Sequence, residues 1–476
     1  MAGTLTIQGG NITMRKSLFV ISDLHLGGGA GFQMCSPAGL DRLAQFIRYV
    51  GTQREAAQET RLVIAGDIVD FLAEEEFTSF TNDDDKAVRK LQAIIDSTRP
   101  IWTALHDLVA TGGRLTLMLG NHDIELSLPG PRRLLMQTLG ENVEFLYDNQ
   151  AFVEGSVLIE HGNCYDKWNV VSHDALREIR SALSRREVPI DYQGPPGSQM
   201  VQQVLNPLKA KYPWVDLLKP ETSGMVPILA VLDPAAMKHV AKIAKLAAKS
   251  MRSRFDENGI PTDPGNIRAE FAQAQALQDP MIQLAMHLAD MDDLQNISFL
   301  DGASDLLTRL KEATYDAVTR EIYARLLQAL RSYANDHRQA FDSRTEIDEY
   351  LKPAQAAARR GFEVVVYGHT HLAKRVALDV EGAVYLNTGT WADLLRVPET
   401  VLADDDTAAL AQLRGFVADL ATNKLESWRC QLPTFARIDL DGAKVTGKDV
   451  FVFEPDGAVS RLPQGPLTLL TYSRGE

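Results

Sequence analysis

Histidine, carboxylate and amide side chains recur in this sequence directly after short apolar runs. The fullest group is Gly120-Asn121-His122-Asp123, which follows the run 115–119 and sets an amide, an imidazole and a carboxylate at consecutive positions. Four smaller groups also follow apolar runs: Asp23-Leu24-His25, Gly66-Asp67, His161-Gly162 and Gly368-His369-Thr370-His371. Because open α/β sheets bind their ligands at the carboxyl ends of strands, we expect all five groups to converge on one site.

The donor types indicate which ions such a site would bind. Mixed imidazole, carboxylate and amide donors suit Mn²⁺, Fe²⁺ or Zn²⁺, whereas dedicated Ca²⁺ sites use oxygen almost alone. Seven donors, which these groups can readily supply, are too many for one tetrahedral ion. Two ions about 3.5–4 Å apart that share a carboxylate and a water would use them all, and such pairs hydrolyse phosphoesters by clamping the attacking and leaving oxygens.

Short β-rich runs alternate with helical periodicity around these groups, a pattern typical of an α/β fold with a largely buried sheet. We predict strands over residues 18–22, 62–65, 115–119 and 157–160, and again over 363–367, 376–379 and 383–386. We predict helices over 40–50, 86–109, 131–139 and 404–425. Closing strands are expected over 436–440, 445–453 and 467–472, and the acidic segment 74–85 is expected to be an exposed loop.

Strand patterns disappear between residues 173 and 360. A connection of this size must have structure of its own, because long structureless loops inside compact domains are uncommon. Helical periodicity over 235–251 and 305–333 indicates a helical insertion. We therefore predict a core in two parts, residues 1–171 and 361–476, with residues 172–360 between them as a candidate cap or lid.

The overall composition excludes several classes of protein. The formal net charge of −14 argues against general affinity for nucleic acids or membranes, since both are polyanionic. The three cysteines lie far apart without CxxC spacing, so neither a disulfide framework nor a zinc ribbon is indicated. Apolar runs are too short for a signal segment or a spanning helix. We expect a soluble, cytoplasmic protein.

Taken in order, the five groups resemble the signature of the calcineurin-like metallophosphoesterase superfamily, which reads D-x-H, G-D, G-N-H-[DE], a His, and G-H-x-H. The resemblance implies a four-layer α/β/β/α sandwich that holds two divalent ions, with Mn²⁺ favoured and Fe²⁺, Zn²⁺ or Mg²⁺ also suitable. It implies that the first ion is bound by Asp23, His25, Asp67 and His371. Asp67 would bridge to the second ion, which Asn121, His161 and His369 would complete.

The same resemblance implies two catalytic residues. His122 would face the phosphoryl group, as general acid to the leaving oxygen or as a charge stabiliser, and Asp123 would orient its ring. The implied activity is hydrolysis of a phosphomonoester or phosphodiester by a hydroxide that bridges the two ions. A non-catalytic scaffold of the same fold is the competing class of function, but scaffold members typically lose ligands and none is lost here.

Residues near the groups are candidates for substrate binding. Asn163, Tyr165, Asp166 and Asn169 follow His161 closely enough to reach a substrate beside the ions. A fifth candidate, Trp391, follows a late strand and either lines the pocket or packs within a turn.

A basic stripe lies on the predicted helix at 235–252 and consists of Lys238, Lys242, Lys245, Lys249 and Arg252. It is either the solvated face of an amphipathic helix or a peripheral contact with a membrane or another polyanion. We accordingly expect a phosphorylated small-molecule or lipid substrate and no obligate protein partner, with the oligomeric state left open.

One branch of the superfamily hydrolyses the pyrophosphate of UDP-diacylglucosamine and caps the acyl chains with a helical insertion. That branch carries arginine at the position of His122, and its insertion is much shorter than residues 172–360. His122 instead resembles the phosphatase, phosphodiesterase and nuclease branches. Pyrophosphate hydrolysis of a UDP-sugar lipid at the membrane surface and nuclease activity are the alternatives to a general phosphoesterase.

Overall fold

The structure is a computed structural model of the chain. It describes residues 15–29, 31–54, 58–140, 142–219, 221–233, 315–336, 340–467 and 469–471. The basic stripe and the whole predicted helix at 235–252 lie outside these residues, as do the first ten residues, 305–314, of the helix predicted over 305–333. No helix of the described segments is both long enough and apolar enough to cross a lipid bilayer.

The first sheet supplies three of the strand ends that carry predicted ligands. Within the described residues it has seven strands: β1 (Arg15–Ile21), β2 (Gln58–Ala65), β3 (Arg114–Met118), β4 (Val143–Leu146), β12 (Thr434–Asp441), β13 (Lys444–Phe453) and β14 (Val459–Arg461). Their order is β14-β13-β12-β1-β2-β3-β4, with β1 to β4 parallel and β12 antiparallel to β1. The carboxyl ends of β1, β2 and β3 therefore meet at one edge.

The second sheet joins the two parts of the predicted core. In the described residues its strands are β5 (Phe152–Glu154), β6 (Val157–Ile159), β7 (Val364–Tyr367), β8 (Ala373–Ala377) and β9 (Val384–Thr388). Their order is β5-β6-β7-β9-β8, and β6, β7 and β9 are parallel. Because β6 and β7 pair directly, the chain leaves the sheet after β6 and returns beside it about 200 residues later.

The described helices, named in chain order, are α1 (Pro37–Thr52), α2 (Asp84–Ser97), α3 (Arg99–Ala110), α4 (Pro129–Leu139), α5 (His173–Ser184), α6 (Pro196–Met200), α7 (Asn206–Lys209), α8 (Glu221–Leu232), α9 (Tyr315–Asp336), α10 (Asp348–Arg359), α11 (Glu399–Leu402) and α12 (Asp406–Ala421). Short 3₁₀ turns cover Phe71–Ala73, Ile124–Ser127 and Asn163–Tyr165, and a π turn covers Val201–Leu205.

Alternate side chains of β1 point to opposite faces of the first sheet and pack in different cores. Phe19 and Ile21 pack in a core formed with α1 to α5, whereas Leu18 and Val20 pack against the second sheet. The far face of that sheet packs on α10. The order is therefore helices, sheet, sheet, helix, which confirms the predicted α/β/β/α sandwich.

A separate helical cluster packs beside the sandwich. It buries side chains of α8, α9 and α12 in one core that includes Trp214, Leu326 and Phe416. A small sheet adjoins it, formed by β10 (Leu394–Leu395), β11 (Arg429–Gln431) and β15 (Leu470–Thr471). Helical residues before 360 thus share a core with residues after it.

Several predicted elements need correction. The helix predicted over 86–109 is two helices. Thr98 ends α2, and Pro100 lies in the first turn of α3, where a proline is tolerated. The strand predicted over 376–379 is β8, which starts earlier, at Ala373. The segment 74–85 is only partly exposed, since Phe80 is buried and contacts Tyr192. Strands β4, β5, β10, β11 and β14 were not predicted, because each is short and lacks a distinct alternating pattern.

Candidate metal centre

The predicted metal ligands lie at the carboxyl ends of strands from both sheets. In chain order they are Asp23 and His25 after β1, Asp67 after β2, Asn121 after β3, His161 after β6, and His369 and His371 after β7. The structure brings them together at the junction of the two sheets. Three groups of three residues have ligand atoms within 4.8 Å of one another: Asp23–His25–His371, His25–Asp67–His122 and Asp67–His161–His369.

Five of these candidate ligands have a backbone conformation that L-residues rarely adopt. Their φ angles are 55° at Asp23, 46° at His25, 51° at Asp67, 69° at His369 and 62° at His371. A non-glycine residue in this left-handed region costs on the order of 1–3 kcal/mol and persists only where its surroundings fix it. Such residues cluster at functional sites, so the backbone supports a functional role for these turns independently of their side-chain types.

Glycine is required where two of the turns touch. A Cβ atom added at Gly120 would lie 2.6 Å from Cγ of Asp67 and 2.6 Å from the Asp67 backbone nitrogen. Since Cβ atoms do not approach other atoms so closely, the β3 turn can lie against Asp67 only because position 120 has no side chain.

We expect Gly120→Ala to lower the free energy of unfolding by about 1–3 kcal/mol, because the added methyl group must displace the Asp67 carboxylate. Gly415→Ala is a matched control, since its added Cβ meets nothing within 4 Å on α12. That variant is expected to be neutral or stabilised. Urea unfolding of both metal-free variants measures the difference, and equal stabilities would contradict the close approach at Gly120.

The first donor group is formed by Asp23, His25 and His371, whose side-chain nitrogen and oxygen atoms lie close together. Nε2 of His25 lies 3.0 Å from Nε2 of His371, and the latter lies 3.4 Å from Oδ1 of Asp23. The other Asp23 oxygen accepts a hydrogen bond from the backbone N–H of His369, at 2.9 Å. Asp23 Oδ1 is buried and accepts no hydrogen bond within the described residues.

Asp67 lies beside the second donor group, which is formed by Asn121, His161 and His369. Its Oδ2 lies 3.3 Å from Nε2 of His161 and 3.8 Å from Nε2 of His25. The same His161 nitrogen lies 3.3 Å from Oδ1 of Asn121. The Asp67 carboxylate therefore stands between the two groups, which is the position predicted for a bridging ligand.

The residues present fit divalent cations. The orphaned Oδ1 of Asp23 and the convergent ring nitrogens form a buried set of electron-pair donors of the types that Mn²⁺, Fe²⁺ and Zn²⁺ prefer. Burial lowers the pKa of His25 to about 3 and that of His371 to about 4, which keeps both rings in the neutral, ligating form. Burial would also lower the pKa of His161, but the adjacent Asp67 carboxylate outweighs it and raises that pKa to about 9. A cation at this position would displace that proton.

His122 lies at the edge of the donor groups, with 21% of its side chain exposed. Its Nδ1 lies 3.2 Å from Oδ1 of Asp70, and its ring meets the ring of His25 edge to face at 4.8 Å. Burial would raise the pKa of Asp70, but the adjacent His122 outweighs burial and lowers it. The carboxylate that holds the ring is therefore that of Asp70.

The predicted role of Asp123 in orienting His122 needs correction. Both Asp123 oxygens accept backbone hydrogen bonds, one from the N–H of Gly120 and one from the N–H of Ile68, each at 2.8 Å. Asp123 thus ties the β3 turn to the β2 turn. The reason is geometric: the turn at 120–123 folds the Asp123 side chain back onto the backbone that precedes it.

Asp70 was missed from the sequence. It stands three residues after Asp67, and its side chain also caps the 3₁₀ turn Phe71–Ala73 by accepting from the N–H of Leu72 at 3.0 Å. A second carboxylate on the same turn as a metal ligand was the available signal. The direction in which the Asp70 side chain points depends on the geometry of the turn, which the sequence does not reveal.

Four of the substrate-binding candidates lie near the second donor group. Asp166 Oδ2 lies 3.0 Å from Nε2 of His369, and Asn169 Oδ1 accepts from Nδ2 of Asn121 at 3.3 Å. Asn163 donates to the Asn169 carbonyl at 2.9 Å. The Tyr165 hydroxyl donates to Glu160 at 2.7 Å, and the Tyr165 ring packs on Tyr367. Two of the four thus contact metal-ligand candidates directly.

Trp391 does not line the site, and its prediction as a substrate residue was wrong. It is 2% exposed and packs on Phe46 in the core under the first sheet. Its indole N–H donates to the Thr434 carbonyl at 3.0 Å. Its backbone N–H donates to the Asp23 carbonyl at 3.2 Å, so the residue supports the β1 turn from behind.

Part of the chain matches a known protein-family model. Residues 16–219 match the family model described as Calcineurin-like phosphoesterase. A search of curated proteins finds no match. The matched segment contains the first four sequence groups and ends on the helical side of the predicted boundary at residue 171.

Proposed function

We propose, from the match of residues 16–219 to the Calcineurin-like phosphoesterase family model, that this chain hydrolyses a phosphomonoester or phosphodiester with two divalent cations. The domain itself supports a metal-dependent hydrolase of phosphoesters. The number of ions, the roles of individual residues and the choice of ester are the parts that we add.

One observation carries the proposal: Asp67 has candidate ligand atoms within 4.8 Å on two sides, from His25 on one side and from His161 and His369 on the other. A single carboxylate flanked by His25 at 3.8 Å and His161 at 3.3 Å is the arrangement that lets two cations share a ligand. The first cation would be held by Asp23, His25, Asp67 and His371. The second would be held by Asp67, Asn121, His161 and His369.

When bound, the cations would supply Lewis acidity and lower the pKa of a water molecule so that it can act as a nucleophile near neutral pH. The residues of the chain position the candidate ligands and donate a proton to the leaving group. Asp123 fixes the β3 turn, which presents Asn121 inward and His122 toward the edge of the site. We assign to His122 the protonation of the leaving oxygen, with Asp70 holding its Nδ1 so that Nε2 faces the substrate.

His122 also favours a simple phosphoester over a UDP-linked lipid. An imidazole can give a proton to an alkoxide leaving group, whereas an arginine remains protonated and only stabilises charge. A phosphorylated small molecule is therefore our proposed substrate.

A panel of substrates tests the proposal. The metal-reconstituted chain is assayed with an aryl monoester, an aryl diester, a cyclic nucleotide, single-stranded DNA and a UDP-linked lipid. We expect turnover of at least one aryl ester that disappears on chelation and returns with Mn²⁺. Turnover of the UDP-linked lipid alone would reject the proposed substrate class, and no turnover of any member would reject the proposed activity.

A further inference from the structure

A chain of hydrogen bonds links two ligand candidates of the second cation through residues that are not ligands. It runs from His369 through Asp166 and Asn169 to Asn121. Nε2 of His369 lies 3.0 Å from Asp166 Oδ2, Nδ2 of Asn169 donates to that same oxygen at 2.6 Å, and Nδ2 of Asn121 donates to Asn169 Oδ1 at 3.3 Å. We name these four residues the relay.

The contact at one end of the relay selects the ligating atom of His369. An ionised carboxylate only accepts hydrogen bonds, so Nε2 of His369 must carry the proton. The nitrogen left with a free electron pair is then Nδ1. Metal-bound histidines commonly donate their other ring N–H to a carboxylate, which fixes the ring and its tautomer.

The contact at the other end orients the Asn121 amide. Because Asn121 gives an N–H to Asn169, its Oδ1 points the opposite way, toward Nε2 of His161 at 3.3 Å. The oxygen proposed as the ligand therefore faces the second donor group, and the hydrogen bond to Asn169 prevents a flip of the Asn121 amide.

The relay is itself held in place. Asp166 Oδ1 accepts from the backbone N–H of Trp168 at 2.9 Å, so both carboxylate oxygens are engaged. The Trp168 carbonyl accepts from the N–H of Gly197 at 2.8 Å, where α6 begins. A side chain at position 197 would collide with Asn169, so the start of α6 supports the relay from outside.

The first donor group has no counterpart to the relay among the described residues. Nδ1 of His25 and Nδ1 of His371 are both buried and make no hydrogen bond there. The relay therefore acts on one side of Asp67 only.

We propose that Asp166 and Asn169 are positioning residues that set the affinity for the second cation by fixing the ring of His369 and the amide of Asn121. The inference rests on the proposed dinuclear site. It replaces the predicted role of these two residues in contacting substrate.

The test compares Asp166→Ala, Asn169→Ala and the double variant with the wild-type chain. Calorimetric titration of the metal-free proteins with Mn²⁺ gives the affinity for each ion, and electron paramagnetic resonance reports coupled ion pairs. We expect each single variant to weaken the second ion by roughly 10-fold to 100-fold while the first ion binds as in the wild type. The double variant should lose little more than Asp166→Ala alone, because the two residues act in one chain.

Cys164→Ser is the matched control, since Cys164 lies exposed in the same loop and outside the relay. It should bind both ions normally. Unfolding curves of the metal-free variants separate a local effect from a damaged fold, because only a damaged fold would weaken both ions together.

Three results would overturn the inference. A normal second-ion affinity in Asn169→Ala with a loss in Asp166→Ala would make Asp166 a ligand itself. A raised KM with normal ion affinities would restore the predicted substrate role. A wild-type chain that binds only one ion would reject the proposed dinuclear site as well, which distinguishes that failure from failure of the relay alone.

Discussion

Replacing Asp67 by asparagine is expected to abolish phosphoester hydrolysis, with a loss in kcat/KM of about 1000-fold or more. The backbone N–H of His122 donates to Asp67 Oδ1 at 2.8 Å, so an asparagine must place its oxygen there. Its NH₂ group then takes the place of Oδ2, which lies 3.3 Å from Nε2 of His161. An amide nitrogen in that position offers no electron pair to a cation, and the bridge is lost while its backbone contact remains.

The assay for Asp67→Asn uses an aryl phosphate or aryl phosphodiester at saturating Mn²⁺, with circular dichroism and urea unfolding to establish that the chain is folded. Asp41→Asn is the matched control, because Asp41 is exposed on α1 and belongs to none of the donor groups. It should retain full activity. Turnover close to wild type in Asp67→Asn would contradict the bridging role.

The second large effect is expected for His122→Ala, which should lower kcat by about 100-fold or more while two ions stay bound. If His122 protonates the leaving oxygen, the loss should be largest for poor leaving groups such as phenol and smaller for p-nitrophenol. Hydrolysis of aryl esters of graded leaving-group pKa measures this dependence, and metal analysis of the same samples gives the number of ions.

Asp70→Asn tests whether that residue acts through His122. It lies 3.2 Å from the His122 ring, and asparagine preserves the cap on the following 3₁₀ turn. We expect a smaller loss than in His122→Ala, and no further loss when the two changes are combined. His122 also belongs to a donor group with His25 and Asp67, so loss of one bound ion in His122→Ala would make it a ligand and contradict the assigned role.

The convergence of the candidate ligands could be predicted because it depends on their order in the chain and on the strands that they follow. Each group follows a strand, and parallel strands carry their carboxyl ends to one edge, so Asp23, Asp67 and Asn121 had to approach one another. The pairing of β6 with β7 brought His161 and His369 to the same place.

The orienting contacts could not be predicted, because they depend on turn geometry. Asp123 and Asp70 are both carboxylates close to His122, and only the folded turns decide that the first binds backbone while the second faces the ring. The same limit applies to Asp166, whose sequence position suggested a substrate contact and whose side chain instead meets His369. Trp391 follows a polar turn, yet its ring packs on Phe46 in the core, a contact between segments far apart in the sequence.

The packing of the helical cluster could not be predicted from hydrophobic periodicity either. Helical patterns identify α9 and α12 separately, but they do not reveal that both pack in one core with Trp214. The matched family segment likewise extends to residue 219, beyond the predicted end of the first core part at 171. Contacts between distant segments, rather than local pattern, decide where this core ends.

Titration of the chelator-stripped chain with Mn²⁺, followed by hydrolysis of the aryl monoester or diester that it turns over, tests the dinuclear phosphoesterase most directly. We predict no turnover without metal, little turnover with one equivalent, and a rise that saturates at two equivalents per chain. Turnover that saturates at one equivalent, or that persists in the stripped protein, would contradict the proposal.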